Sequence, residues 1–419
     1  MPRRLVLAIA LLFGSACAQK PWVAAARSGS LGDLQRYVEV AADRNQFTRA
    51  RAVELAEEIA EREIEVADDA EVYERIATLG PCASQVFWAL KHRAKGKSDG
   101  SAAASIVLFE AGYGEGLRAV TPEKESGAWR AFAVRLATAP EQRSFVLRAL
   151  IDPDVRVRRA ALNALQQGPQ PSDGSALIDV VRLDPEPALK QAALAVLGDS
   201  GNVAALLALR EYWDEMAEST RLAFVQALHS PAARTRGGEP LLVRTMESSG
   251  SFESLVAASL VFNDVAASRG AAAAHLVRAL REGSTSERLL ALASLPPNHP
   301  EARFEIQKLA SSGEPYLRTA ALGIYLDQNI ALDLVRQRLH TIAASKDADA
   351  DEAARLLAAH GDVSVLPRIE KELSAPELSA RLAAARLLLK LGSWNAVARA
   401  LTDDHPSVRL SLACDILAK

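Results

Sequence analysis

A basic residue followed by apolar residues three, four and seven positions later recurs along most of this chain. Its clearest copy runs from Asp152 through Pro153, Asp154 and Arg156 to Leu165, with Arg158 leading Ala161, Leu162 and Leu165. Residues so spaced share one face of a helix of 3.6 residues per turn. Equivalent leading positions fall at Lys190, Arg221, Ser254, Arg288, Arg318, Ala350, Arg381 and Arg409, with Arg130 a looser earlier copy, so the period is about 31 residues. Between these stretches lie second amphipathic segments, Val203 to Tyr212, Ala271 to Arg281, Ala331 to Ala343 and Val363 to Leu373, set apart by Gly, Pro, Ser or Asp. Each unit therefore reads as a helix pair. A period of this length belongs to stacked helical hairpins, whose core grows with chain length and so accommodates 419 residues that one compact core would not.

Composition agrees with helix. Apolar residues make up 49% of the chain and aromatic residues only 5%, with Ala and Leu dominant, which suits close helix packing and not an all-β protein. Asp152 is placed as an N-cap and Pro153 as a first helical residue. Residues 19–95 match the pattern poorly and read as irregular helices over Leu31 to Ala42, Thr48 to Ile64, Asp69 to Leu79 and Ser84 to Arg93. Glu54, Glu57, Glu58, Glu61 and Glu63 interleave with Arg49, Arg51 and Arg62, a pattern expected of a solvated helix with (i, i+4) pairs. Residues 96–125 read as a linker and transitional helix, and 126–419 as the repeat array.

The repeated residues resemble the HEAT family, most closely the short bacterial HEAT-like repeats of the phycobilisome-lyase type. The resemblance covers about Ser126 to Lys419 and implies an all-α, right-handed α-solenoid of about nine to ten helix pairs. It also implies that an Asp in the turn of each pair bonds the basic residue six positions later: Asp152 with Arg158, Asp184 with Lys190, Asp403 with Arg409. Glu282 and Glu215 stand where that Asp is expected before Arg288 and Arg221, and Ser254 and Ala350 replace the base, so those pairs should be less regular. The family implies a scaffold or protein-binding role; lyase activity does not carry over.

The first eighteen residues have the layout of a secretory signal. Arg3 and Arg4 precede an uncharged apolar run from Leu5 to Phe13, then Gly14, Ser15, Ala16 and Cys17. Gly14-Ser15-Ala16-Cys17 resembles the lipid-attachment box of bacterial lipoproteins, with Cys17 acylated and, because Ala18 follows it, the outer membrane as the address, facing the periplasm. Ala16-Cys17-Ala18 also fits an ordinary cleavage site that releases a soluble periplasmic or secreted protein from Gln19. The apolar run is too short to span a bilayer comfortably, and no other segment could cross one, so no transmembrane helix is expected in the mature chain. Cys82 and Cys414 are too far apart in a linear array to meet unless the superhelix closes on itself, which excludes a disulfide framework and leaves two buried, inert thiols.

No catalytic constellation is recognisable, and neither cofactor nor metal is expected. Gly198-Asp199-Ser200-Gly201 has protease lettering but follows a helix, where a helix end and turn explain it. Asp347, Asp349 and Asp351 begin like a calcium loop, but Glu352 stands at its sixth position and Ala358 at its twelfth, so helix first-turn acids account for them. Gly112, Gly114 and Gly116 lack the preceding strand of a dinucleotide site. The seven histidines show no ligand spacing. With 49 basic and 52 acidic residues the net charge is -3, which gives no footprint for nucleic acid.

The leading functional expectation is thus a non-enzymatic protein-protein interaction scaffold of the bacterial cell envelope, binding a protein or peptide on the concave side. An enzyme subunit or hydrolase with a site assembled across repeats, and a structural spacer, are the alternatives. Positions one, five and eight residues after each basic residue flank the packed stripe. They supply the candidate partner-binding residues Arg159, Asn163, Leu222, Gln226, Leu255, Leu289, Leu382 and Arg386, and Leu410 continues the leucine series. The leucines form either an exposed apolar strip or the buried flanks between repeats.

Overall fold

The computed structural model describes residues 21–66, 70–115, 117, 120, 125–248 and 251–419. It is all-α; among the described residues there are 25 α-helices longer than three residues and no strand. The described residues divide into two compact units, one drawn from 21–117 and 354–419, the other from 120–353.

The first unit draws on both ends of the sequence. From the N-terminal side come α1 (Pro21–Ser28), α2 (Leu31–Asp43), α3 (Arg49–Glu65), α4 (Ala70–Ala77), α5 (Phe87–Arg93) and α6 (Asp99–Glu110). The second unit holds α7 (Gly127–Leu136), α8 (Arg143–Ala149), α9 (Val155–Gln167), α10 (Gly174–Leu183), α11 (Pro187–Asp199), α12 (Val203–Arg210), α13 (Glu218–His229), α14 (Glu239–Glu247), α15 (Phe252–Asp264), α16 (Arg269–Glu282), α17 (Thr285–Ser294), α18 (Arg303–Ala310), α19 (Pro315–Asp327) and α20 (Leu332–Ala343). The unit boundary falls within α21 (Ala350–Ala359), after which α22 (Leu366–Lys371), α23 (Leu378–Lys390), α24 (Trp394–Ala400) and α25 (Pro406–Leu417) return to the first unit.

In the second unit, the helices that carry the sequence pattern pack side by side in order, α7 on α9, α9 on α11, α11 on α13, and onward through α15 and α17 to α19. The positions three, four and seven after each base form their core: Ala161, Leu162 and Leu165 of α9, Ala193, Leu194 and Leu197 of α11, Phe224, Val225 and Leu228 of α13 are all buried. The approach of α11 to α13 is close enough to require a glycine. A Cβ on Gly198 would stand 2.6 Å from the Ala227 carbonyl oxygen and 2.9 Å from its Cα, backbone atoms that cannot swing aside. Gly198→Ala should therefore lower stability by about 1–3 kcal/mol through overpacking, although alanine is favoured over glycine in helices by about 1 kcal/mol. A urea titration showing a gain instead would mean that the two helices separate freely.

In the first unit, α25 packs on α23 on one side and on α3 on the other, while α24 packs on α2. The N-terminal pair α2 and α3 thus occupies the place that a further helix pair would take after α24 and α25. Leu410 and Leu417 of the last helix, apolar residues that an open end would expose, are buried. Polar contacts follow the same seam: Arg399 pairs with Glu39 at 3.0 Å and Asp43 at 2.7 Å, Gln35 donates to Asp404 at 2.8 Å, and the Phe47 amide donates to the Asn395 side chain at 3.1 Å. Cys82, in the turn between α4 and α5, is joined to Cys414 of α25 by a disulfide, with Cα atoms 5.3 Å apart across 332 residues of sequence. The expectation of two separate inert thiols is corrected here: residues far apart along a row of helices meet because the two ends of the chain share one core.

Three further expectations are revised. Helix α3 is no solvated helix: Leu55, Ala56, Ile59, Ala60 and Ile64 are buried, and its acids reach other elements, Glu58 pairing with Arg27 and Glu63 with Arg409. Helix α6, expected to be transitional, is buried from Gly100 to Leu108 and packs against α4 and α5. The helix after Asp152 starts two residues later than the Asp-Pro pair suggests, since Asp154 is the N-cap and accepts the Arg156 amide at 2.9 Å.

Candidate functional site

The turns before the pattern helices position both the structural ion pairs and the surface most suited to a partner. Asp152 folds its turn by accepting the Asp154 amide at 2.8 Å, and Asp184 and Asp403 accept the Glu186 and His405 amides at 2.9 and 2.8 Å. Arg158 and Arg409 do reach those turns, but through the backbone, donating to the carbonyls of Asp152 at 3.0 Å and Asp403 at 2.7 Å. The carboxylates bond a different partner, the arginine one helix pair earlier: Arg130 with Asp152 at 2.8 Å, Arg158 with Asp184 at 2.8 Å, Arg381 with Asp403 at 2.7 Å. The expected pairing within each turn is therefore replaced by a ladder between neighbouring pattern helices. The geometry explains why. A carboxylate that already caps its own turn presents its second face outward, and a guanidinium can bridge that face and a carbonyl at once. Lys190, which lacks the fork, donates to the Arg182 carbonyl at 3.3 Å.

The ladder absorbs several other marked residues. Arg288 takes Glu314 at 2.7 Å, and Arg318 takes Asp347 at 3.0 Å and the buried Asp349 at 2.7 Å, which also accepts from the Thr319 hydroxyl. Burial pushes the Asp349 carboxyl up, but the Arg318 and Thr319 hydrogen bonds outweigh it and hold the group below its ordinary range. The Asp347 to Asp351 run is thus part of an ion-pair network; among the described residues no cluster of three metal-ligating side chains occurs. In the protease-like stretch, Ser200 donates to the Leu197 carbonyl at 2.9 Å and Gly201 turns the chain at φ 66°. His229 pairs with Asp264 at 2.6 Å. No described helix is long and apolar enough to cross a membrane, and Cys17 lies outside the described residues.

Of the residues expected to face a partner, Arg159, Asn163 and Gln226 are exposed, while Arg386 pairs with Asp415 at 2.7 Å. Leu222, Leu289 and Leu382 are half-buried, whereas Leu255 and Leu410 are buried. A strip of five exposed leucines does not exist. The positions are flanks: α15, which carries Leu255, packs against α13, α14, α16 and α17, and α25, which carries Leu410, lies under α3.

Two of the most exposed apolar residues lie elsewhere, one residue before the turn aspartates. Ile151 is 82% exposed and Leu183 is 73% exposed. Ile151, Leu183, Leu147, Pro153 and Pro185 line a groove of about 370 Å³ at the edge of the second unit. A second groove, about 340 Å³, shares Leu183 and Pro185 and continues over Tyr212 and Met216. Arg182 lies over the Tyr212 ring, 4.0 Å from its centroid, at the rim. Helical periodicity missed these residues because they stand outside the helices' buried stripes. The triplets Ile151-Asp152-Pro153 and Leu183-Asp184-Pro185 were the available signal: an apolar residue before an Asp-Pro turn cannot point into a helix interface that the turn has already left. A scan against known family models found no match to this chain, and a search of characterised proteins found none either.

Proposed function

We propose that this chain is a non-enzymatic interaction scaffold of the bacterial cell envelope, a right-handed HEAT-like solenoid of about nine to ten helix pairs that docks an apolar segment of a partner protein or peptide. The observation that carries the reading is the pair of contiguous grooves topped by Ile151 and Leu183. Two large aliphatic side chains left almost wholly in water, over grooves that share a wall, form the kind of patch that monomeric proteins seldom leave uncovered. The aligned pattern helices and the arginine ladder support the solenoid reading, since each step repeats the same contact with its neighbour. The Cys82–Cys414 disulfide supports export, because such bonds persist in oxidising compartments. On this reading Cys17 carries the lipid and a short tether leads to α1.

Photo-crosslinking in the native host tests the docking. A benzophenone side chain at position 151 or 183 should yield one and the same adduct, while one at the exposed Glu141 should not. Ile151→Asp with Leu183→Asp should abolish the adduct at neighbouring positions and change stability by only about 0.5 kcal/mol, as surface substitutions do. No adduct at either position, or the same adduct from all three, would contradict the proposal.

A further inference from the structure

A cavity of about 410 Å³ lies in the first unit, between α5 and the loop that follows α6. Phe87, Leu108, Tyr113 and Leu117 supply its apolar wall, and Lys91 and Lys95 stand at its rim, with Glu115 also lining it. The rings of Phe87 and Tyr113 pack at 4.9 Å, and Phe87 meets Trp88 edge to face at 5.1 Å. Trp88 is 75% exposed. The Lys91 ammonium sits 5.3 Å from the Phe87 ring and 5.6 Å from the Trp88 ring, so a cation is held against both aromatic rings.

Two exposed ammonium groups over an aromatic-walled cavity of this size fit one ligand chemistry better than others. A neutral apolar molecule would leave the rim cations unused, and a small inorganic anion would leave the wall wet. A cation would face Lys91 and Lys95. We propose that this cavity binds an anionic amphiphile, its alkyl or aryl body against Phe87, Leu108 and Tyr113 and its carboxylate or phosphate head at Lys91 and Lys95. A single-chain fatty acid and the edge of an anionic bilayer share this chemistry, and the occupant assigned here is the free single-chain molecule. The cavity shares no residue with the grooves at Ile151 and Leu183.

Calorimetric titration of the full chain, with Trp fluorescence as a second signal, tests it with four probes: decanoate, decylamine, inorganic phosphate and phosphatidylglycerol vesicles. Decanoate should bind saturably and perturb fluorescence, and Lys91→Glu with Lys95→Glu should weaken it at least about tenfold at low salt. Both lysines are surface residues, and an unchanged melting curve verifies that the variant is folded. Phe87→Ala should weaken decanoate while leaving the salt dependence in place. Decylamine binding as well as decanoate, phosphate binding as well as decanoate, or affinity unmoved by the charge reversal would each overturn the assignment. Vesicle binding without decanoate binding would overturn it too, leaving a membrane-facing basic surface in place of a filled cavity.

Discussion

Replacing Cys82 and Cys414 together by alanine should lower the stability of the unit they clasp by about 2–5 kcal/mol, toward the upper end for a bond that closes so long a loop. The two sulfurs join the turn after α4 to α25 across 332 residues, so their bond restricts the unfolded chain over that whole span. Loop-closure entropy grows only slowly with length, so most of the effect comes from tying the two chain ends at all. The first unit should suffer most. Hydrogen exchange in α3 and α25 should accelerate together in the double variant, and adding a reductant to the natural protein should reproduce that pattern. Exchange in α11 and α13, which belong to the second unit, should respond less. Unfolding curves that superimpose with and without reductant would show that noncovalent contacts alone carry the junction.

The second large effect is expected at Arg318. Its removal as Arg318→Met takes the guanidinium from the buried Asp349 carboxylate and leaves the Thr319 hydroxyl as its remaining side-chain donor, and a buried charge stripped of its counter-ion costs about 3–5 kcal/mol. The pH dependence then separates the variant from the natural protein. In the natural protein the Asp349 carboxyl is depressed below its ordinary value of 3.8, so its contribution is present above that value and is lost as pH falls through the lower folded value. The window lies below about pH 4. In Arg318→Met, burial acts without the guanidinium and raises the carboxyl, so the folded state takes up a proton more readily than the unfolded chain. Stability should then rise, not fall, as the solution is acidified from neutrality toward about pH 5. Arg318→Met combined with Asp349→Leu should recover much of the loss at neutral pH, since apolar replacement of a buried pair is often tolerated. A single variant that unfolds like the natural protein at every pH would show that the ladder contributes little.

The helices were legible because their signal is local. Arg158 with Ala161, Leu162 and Leu165 marks a buried face in any sequence, and the structure buries that face in α9, α11 and α13. The ladder was half legible. Asp152 and Arg158 belong to it, but which carboxylate meets which guanidinium depends on the spacing between neighbouring helices, and spacing within one turn does not reveal that. The N-terminal region was the least legible. Glu58 and Glu63 look like solvated helix charges until Arg27 and Arg409 are brought to them, Arg409 from the far end of the chain. The same long-range event turns Cys82 and Cys414 into a bonded pair and hides Leu410 and Leu417. Ile151 and Leu183 escaped notice for the opposite reason: one stands in a turn and the other at the last residue of α10, where a helix face ends and periodicity has nothing to say.

Residues from the two ends of the chain form one unit, and a disulfide locks them, a bond of the kind that persists in oxidising compartments. Peptide mapping of the protein isolated from its host cells, with free thiols alkylated before digestion and no reductant present, tests this most directly. The peptide containing Cys82 should be recovered linked to the peptide containing Cys414 as the dominant species. Recovery of both cysteines as separate alkylated peptides would contradict it.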